Sequence, residues 1–131
     1  MSSLEKIEGK SKAAFDSVTG KPVDLAQLRT ERPALDRVCK ELDGMGVDYK
    51  AKREKDATII DVTKDNYRVA KLDVFNSGTI MANIAGQPGT LTAFPEESSS
   101  GLMTQVREAA QATAARANQA RNAATTQAPK R

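Results

Sequence analysis

Residues 47–85, VDYKAKREKDATIIDVTKDNYRVAKLDVFNSGTIMANIA, decide the fold because apolar and polar side chains alternate along most of their length. An alternation with a period of two is typical of strands that have one buried face. Four such segments occur, near residues 47–53, 57–63, 67–75 and 79–85. They predict an antiparallel meander of four strands.

Two loops set the register that we expect for this meander. Asn76, Ser77 and Gly78 suit a three-residue hairpin loop with glycine in the left-handed position, and residues 64–66 suit a similar loop with Asn66 there. Both loops assign the same apolar positions to one inner face. The expected inner face consists of Val47, Tyr49, Ala51, Ile60, Val62, Ala70, Leu72, Val74, Ile80, Ala82 and Ile84.

The sequence before the meander has a helical period instead. An apolar stripe at helical spacing is formed by Leu35, Val38, Cys39 and Leu42. It predicts a helix with Pro33 in its first turn that runs to about Asp43 and packs on the inner face of the sheet. Asp24 is suited to cap a brief turn before this helix.

The sequence after the meander predicts an edge strand and a long helix. Residues 90–94 are expected to form the fifth strand, and the Ala-rich composition after Leu102 favours a helix. The predicted fold class is therefore α+β: an N-terminal helix, a four- to five-stranded antiparallel meander and a long C-terminal Ala-rich helix.

Three regions follow from this pattern. Residues 1–23 are interpreted as a weakly structured segment, a short helix followed by a loop. Residues 24–95 form the α+β core domain. Residues 96–131 form a helical tail, rich in Ala, Gln and Arg, that frays from about Thr125 onward.

The composition excludes several chemistries. The 131 residues include no histidine and one cysteine, Cys39, so the commonest general base and metal ligand are missing and no internal disulfide can form. No nucleophile, base and orienting group can be assembled from the sequence. We therefore expect no enzyme, no catalytic residue, no metal site, no cofactor and no small-molecule substrate.

The sequence also carries no signal for export or membrane insertion. The amino terminus mixes acidic and basic residues without an apolar run behind them, and the longest apolar stretches are far shorter than a membrane span. We expect a cytoplasmic protein that does not bind membranes.

The outer face of the predicted sheet is unusually apolar. It is expected to carry Ile59, Tyr67, Val69, Phe75 and Met81 among Lys50, Lys52, Lys71, Asp48, Asp61 and Asp73. An antiparallel sheet with one solvated face normally places polar residues there, so something should cover this face. One interpretation is that a terminal helix of this chain covers it. The other is a non-catalytic interaction module, such as an inhibitor, adaptor or assembly factor, that docks a protein partner or a second copy of itself, with Leu102 and Val106 of the tail helix as a second contact.

The alternative function is a small accessory protein that binds DNA or RNA. Aromatic rings beside lysines on a sheet face can stack on bases while cations contact phosphates. The net charge of +3 depends on residues 102–131, which contain five basic residues and one acidic residue. The candidate contacts beside Tyr67 are Lys50, Lys52, Arg53, Lys71, Arg107, Arg116 and Arg121.

Overall fold

The computed structural model describes residues 12–95 and 100–127, and the side chains of its last helix are described for residues 101–119. The described chain is α+β, as the sequence predicted. Its helices are α1 (Leu25–Glu31), α2 (Pro33–Met45) and α3 (Ser100–Gln127). Its strands are β1 (Lys12–Asp16), β2 (Pro22–Val23), β3 (Asp48–Arg53), β4 (Ala57–Lys64), β5 (Tyr67–Phe75), β6 (Ile80–Ile84) and β7 (Leu91–Ala93).

The seven strands form a single sheet in the order β2-β1-β3-β4-β5-β6-β7. Strands β3 to β6 are the predicted meander and β7 is the predicted edge strand, all paired antiparallel. The sheet has seven strands instead of the predicted four or five, because β1 and β2 extend it beyond β3. Strand β1 pairs parallel to β3 and antiparallel to β2.

The prediction of an N-terminal helix is wrong for residues 12–16, which form β1. The segment KAAFD alternates in burial, with Ala14 buried at 3% exposure and its neighbours partly exposed. Its backbone pairs with that of β3, which lies more than thirty residues further along the chain. Such a long-range parallel pairing has no local sequence signature. Residues 1–11 of the predicted helix lie outside the described residues.

The inner face has the predicted composition. Ile60 pairs with Leu72 and Val62 with Ala70, while Leu72 also pairs with Ala82. Every position predicted for this face is at most 5% exposed. The loop at residues 76–78 also has the predicted form, since Phe75 accepts a hydrogen bond from the amide of Gly78, whose φ is +107°.

All three helices lie on this inner face. The apolar stripe of α2 is buried as predicted, and one continuous core joins it to the inner face and to Leu28 of α1. The core also contains Leu102, Met103, Val106 and Ala110 of α3. An ion pair of 3.5 Å between Arg107 and Glu41 links α3 to α2. The molecule therefore has two layers, one of helices and one of sheet.

Hydrogen bonds and ion pairs tie the helices to the sheet at two points. The carboxylate of Asp43 in α2 accepts a hydrogen bond from the Tyr49 hydroxyl at 3.1 Å and forms ion pairs with Lys12 and Arg29. The guanidinium of Arg32, between α1 and α2, donates to the carbonyl groups of Glu54 and Ala57 and to the hydroxyl of Thr58. These contacts hold α1 and α2 over β3 and β4.

The ends of the helices follow the predicted pattern in part. The side chain of Asp24 caps α1, as predicted, by accepting from the amides of Ala26 and Gln27. Helix α3 includes residues 125–127, which we expected to fray. Residues 96–99, at the start of the predicted tail, and residues 128–131, at its end, lie outside the described residues.

The β4–β5 hairpin differs from the predicted loop. Lys64 pairs with Tyr67, so the loop has two residues, Asp65 and Asn66, with φ of 52° and 71°. Left-handed conformations at both positions match the twist of the paired strands. A two-residue loop shifts the pairing by one residue, and a β-bulge at Val69 shifts it by one more, which restores the predicted faces from Ala70 onward.

Candidate interaction surfaces

The sheet face opposite the helices, called here the outer face, has no described element packed on it. Its large apolar side chains, each partly exposed, are Phe15, Ile59, Phe75 and Met81. Ile59, Phe75 and Met81 lie on this face as predicted. Phe15 is an addition that the sequence analysis missed. Its place follows from β1, because Phe15 is opposite Lys52 in the parallel pairing.

Three of these apolar residues and two charged residues form one row that crosses the sheet. Phe15 is opposite Lys52, Lys52 is opposite Ile59, and each pair lies on neighbouring strands. Ile59 is in turn opposite Asp73, and Asp73 is opposite Met81. The Ile59 row, as we call it, therefore reads Phe15, Lys52, Ile59, Asp73, Met81. It alternates apolar and charged side chains.

Asp73 is the unusual member of the Ile59 row. Its Oδ1 atom is buried and has no hydrogen-bond partner among the described residues. Lys52 is on the same row but two strands away, which separates their backbones by about 10 Å. A buried carboxylate oxygen without a donor is costly, so most such atoms in proteins are hydrogen-bonded. The Ile59 row thus contains one buried, unsatisfied acceptor, at the position between Ile59 and Met81.

The prediction that Tyr67 and Val69 lie on the outer face is wrong. The bulge places two consecutive residues, Val69 and Ala70, in the core, and each is 0% exposed. Before the bulge the alternation is reversed, so Arg68 shares the outer face with Asp61, to which it forms an ion pair of 3.3 Å. Tyr67 points toward α3 instead. The two-residue turn causes this reversal, since one residue of slip exchanges the two faces.

Leu102 and Val106 are not available as a second contact surface. They are 7% and 0% exposed because α3 packs on the inner face, beside α2, and not over the outer face. The idea that the C-terminal helix covers the outer face is wrong for the same reason. Methyl and methylene groups at these positions are buried in the core of this chain.

The predicted cations are divided among separate places. Lys50, Lys52 and Lys71 lie exposed on the outer face and form no ion pair with another described residue. Arg53 pairs with Asp16 at 2.7 Å, and Arg107 pairs with Glu41. The side chain of Arg121 lies outside the described part of the chain.

One cavity is lined by a tyrosine and two arginine residues. It measures about 380 Å³ and is lined by Tyr67, Arg68, Thr113, Arg116 and Ala117. Tyr67 is 54% exposed. None of the described residues that line the cavity is acidic. Tyr67 and Arg116 were both singled out by the sequence, whereas Arg68 was missed because the bulge that positions it was not foreseen.

The cysteine of the chain is buried between helix and sheet. Cys39 is 0% exposed, and burial raises the pKa of its thiol. Burial also raises the pKa of the neighbouring Tyr49 hydroxyl. Burial acts to raise the pKa of Asp43 as well, but hydrogen bonds from Lys12, Tyr49 and Arg29 outweigh it and lower this pKa. The cluster favours a neutral thiol and phenol beside an ionised carboxylate.

Comparison with protein-family models, with curated proteins and with solved structures found no match to this chain. None of the described helices combines the length and the apolar character needed to cross a membrane. Within residues 12–95 and 100–127, no three acidic, cysteine or histidine side chains come together as a metal site would require.

Proposed function

We propose that this protein is a non-catalytic interaction module that docks a protein partner through its outer face. The observation that carries the proposal is a sheet face that no described element covers, on which the partly exposed Ile59 and Met81 flank Asp73, whose Oδ1 atom is buried without a partner. A docked partner with a cationic or donor group would pair with this carboxylate. It would also remove the partly exposed Ile59 and Met81 from water.

The chemistry of the outer face supports a protein as the partner. Phe15, Ile59, Phe75 and Met81 supply apolar contact area, and aromatic residues and methionine are enriched in protein interfaces. Lysines and aspartates alternate with them along the row, so the face also offers charged contacts. Compared with the surface expected from the sequence, the proposed surface loses Tyr67, Val69, Leu102 and Val106 and gains Phe15.

The buried position of Cys39 supports the non-catalytic part of the proposal. Thiolates, not thiols, are the nucleophilic form of cysteine, and burial raises the pKa of this thiol. At 0% exposure, the sulfur is also out of reach of a substrate. The neighbouring Tyr49 and Asp43 are used in hydrogen bonding between helix and sheet.

Site-specific photocrosslinking in cells tests the docking role. A photoreactive phenylalanine analogue at Thr92, an exposed position beside Met81 on the outer face, should yield one discrete protein adduct. The additional substitution Ile59→Asp should abolish it. The matched control places the analogue at Gln111, which is exposed on the helical layer. Absence of an adduct at Thr92, or the same adduct from Gln111, would refute the proposal.

A second candidate function is binding of single-stranded nucleic acid at the cavity beside Tyr67. The specific observation in its favour is that Tyr67, Arg68 and Arg116 line one cavity of about 380 Å³, which has no acidic residue in its described lining. An aromatic ring can stack on a base while guanidinium groups contact phosphates.

Oligonucleotide binding tests this second candidate. Tyr67→Ala and Arg116→Gln should each weaken binding of a labelled single-stranded oligonucleotide about tenfold at low salt, since stacking and cation contacts are worth about 1–3 kcal/mol each. Lys21→Gln, a change of an exposed lysine on the loop before β2, serves as the control. Equal losses in all three variants, or no binding by the unmodified protein, would exclude this candidate.

A further inference from the structure

We infer that the partner of the outer face is a second copy of this chain, related to the first by a twofold axis through Ile59. This inference rests on the proposed docking function and names its occupant. The Ile59 row carries the argument, because its chemistry is complementary to itself when the row is reversed about its centre.

The reversal pairs each member of the row with a suitable group. In a symmetric dimer the two copies present the same surface to each other, so positions at equal distance from the axis come into contact. The axis runs parallel to β4 and passes between the two Ile59 side chains, so Ile59 faces its own counterpart. Lys52 of one copy then faces Asp73 of the other, and Phe15 faces Met81.

The Lys52–Asp73 contact joins two side chains that have no ion pair with a described residue of their own chain. Lys52 is exposed, and Asp73 is partly exposed although its Oδ1 atom is buried. Across the interface the lysine ammonium lies opposite this carboxylate, and the symmetry makes the contact twice. The Phe15–Met81 contact places a thioether against an aromatic ring, which is also favourable.

The neighbouring row brings like charges together under the same axis. It contains Lys50, Asp61 and Lys71 on β3, β4 and β5. Lys50 of one copy then faces Lys71 of the other, while Asp61 faces its own counterpart and is already paired with Arg68 of its own chain. This row therefore opposes the attraction between Lys52 and Asp73 and weakens the dimer.

The size of the face predicts a reversible dimer. Five strands spaced about 4.8 Å apart make a face about 20 Å wide. The area that a face of this width can bury is at the small end of the range for specific protein interfaces. We expect a dissociation constant in the micromolar range, because a small interface must also offset the lost freedom of two chains.

Charge reversal tests the inference by sedimentation velocity at about 100 µM, a concentration suited to an interface of this size. The unmodified protein should sediment as a dimer. Lys52→Asp and Asp73→Lys should each weaken self-association about a hundredfold, because each places like charges together at both symmetric contacts. An equimolar mixture of these two variants should again form dimers, since one contact then joins the two introduced side chains, which have opposite charges, and the other joins the unchanged Lys52 and Asp73.

Controls separate an effect on the interface from an effect on folding. Lys21→Asp changes the same net charge away from the outer face and should leave the dimer intact. Asp73→Asn is close in shape to the original side chain, so it should fold and still weaken self-association. Circular dichroism should give the same spectrum for every variant that is compared.

Two sets of outcomes would overturn the inference. One is a monomeric unmodified protein at this concentration. The other is a dimer that survives Lys52→Asp and Asp73→Asn, or two variants that stay monomeric when mixed. The Thr92 photocrosslink distinguishes this failure from failure of the docking function: an adduct with a different protein leaves the docking function standing without the dimer, and no adduct removes both.

Discussion

Asp16 anchors β1 to β3 at the edge of the core. Its Oδ2 atom accepts from Arg53 at 2.7 Å, and its Oδ1 atom accepts from the amides of Val18 and Thr19. The hydrogen bond from Arg53, together with those from the two amides, lowers the pKa of Asp16 from 3.8 to about 2. The ionised carboxylate is thus part of what makes residues 12–16 a strand.

Asp16→Asn should lower stability toward urea at neutral pH. Because the folded pKa is below the unfolded one, the ionised group stabilises the fold above pH 3.8 and this contribution is lost as the pH falls toward 2. The urea midpoints of the two proteins should therefore converge between pH 4 and 2. Asp48→Asn, on an exposed side chain at the start of β3, is the control. A constant difference at all pH values would contradict this account.

Gly78 is required by the β5–β6 loop. Its φ is +107°, and an added Cβ would lie 3.2 Å from the Cβ of Pro95. Gly78→Ala should cost about 1–3 kcal/mol in unfolding free energy. Gly44→Ala should instead stabilise by about 0.5–1 kcal/mol, because Gly44 lies in helix α2 with open space around it. Urea denaturation measures the unfolding free energy of both variants. Equal effects of the two substitutions would show that the positive φ of residue 78 does not require glycine.

In the β4–β5 hairpin the structure differs from what the local sequence pattern predicts. Alternation correctly predicts the faces from Ala70 onward, but the two-residue turn reverses those of Tyr67 and Arg68. The turn residues Asp65 and Asn66 are compatible with both loop lengths, so local preference does not choose between them. Burial of Val69 decides, because the bulge adds this side chain to the core.

Val69→Ala tests this arrangement. If Val69 is in the core, removing two methyl groups should cost about 1.5–3 kcal/mol in unfolding free energy. Lys71→Ala, two residues along the same strand and exposed on the outer face, should change it by less than about 0.5 kcal/mol. Similar values for the two variants would mean that Val69 is exposed and that the bulge is absent.

Helix α3 is anchored mainly by its first turns. Its buried residues run from Leu102, Met103 and Val106 to Ala110 and Ala117, so the buried side chains become smaller along the helix. Met103→Ala should therefore cost about 2–5 kcal/mol, whereas Gln111→Ala, on the exposed side, should be near neutral. Thermal denaturation by circular dichroism compares them. A small effect of Met103→Ala would indicate that α3 is held elsewhere.

At the scale of the whole molecule, the dimer links stability to concentration. Association of folded chains stabilises them by mass action, so the thermal midpoint of the unmodified protein should rise by a few degrees over an about hundredfold increase in protein concentration. The midpoint of Lys52→Asp should not change with concentration. Calorimetry over that range measures both, and parallel behaviour of the two proteins would argue against a dimer through the outer face.

The candidate surface was predictable from the sequence only in part. Ile59, Phe75 and Met81 were assigned correctly because alternation in strands depends on local spacing alone. Phe15 was missed because a five-residue segment gains strand structure only by pairing with β3. The cavity at Tyr67 and Arg116 was also unforeseen, because α3 and β5 are brought together by packing.

The sequence by itself determined the α+β class, the meander from β3 to β6, its inner face and the stripe of α2. These features follow from the spacing of apolar residues and the conformational preferences of turns, both of which act over a few residues. Tertiary structure alone decided that β1 joins the sheet, that α3 shares the inner face with α2, and that a bulge in β5 restores the predicted faces. Those choices depend on which distant surfaces bury the most apolar area together, and that competition involves the whole chain at once.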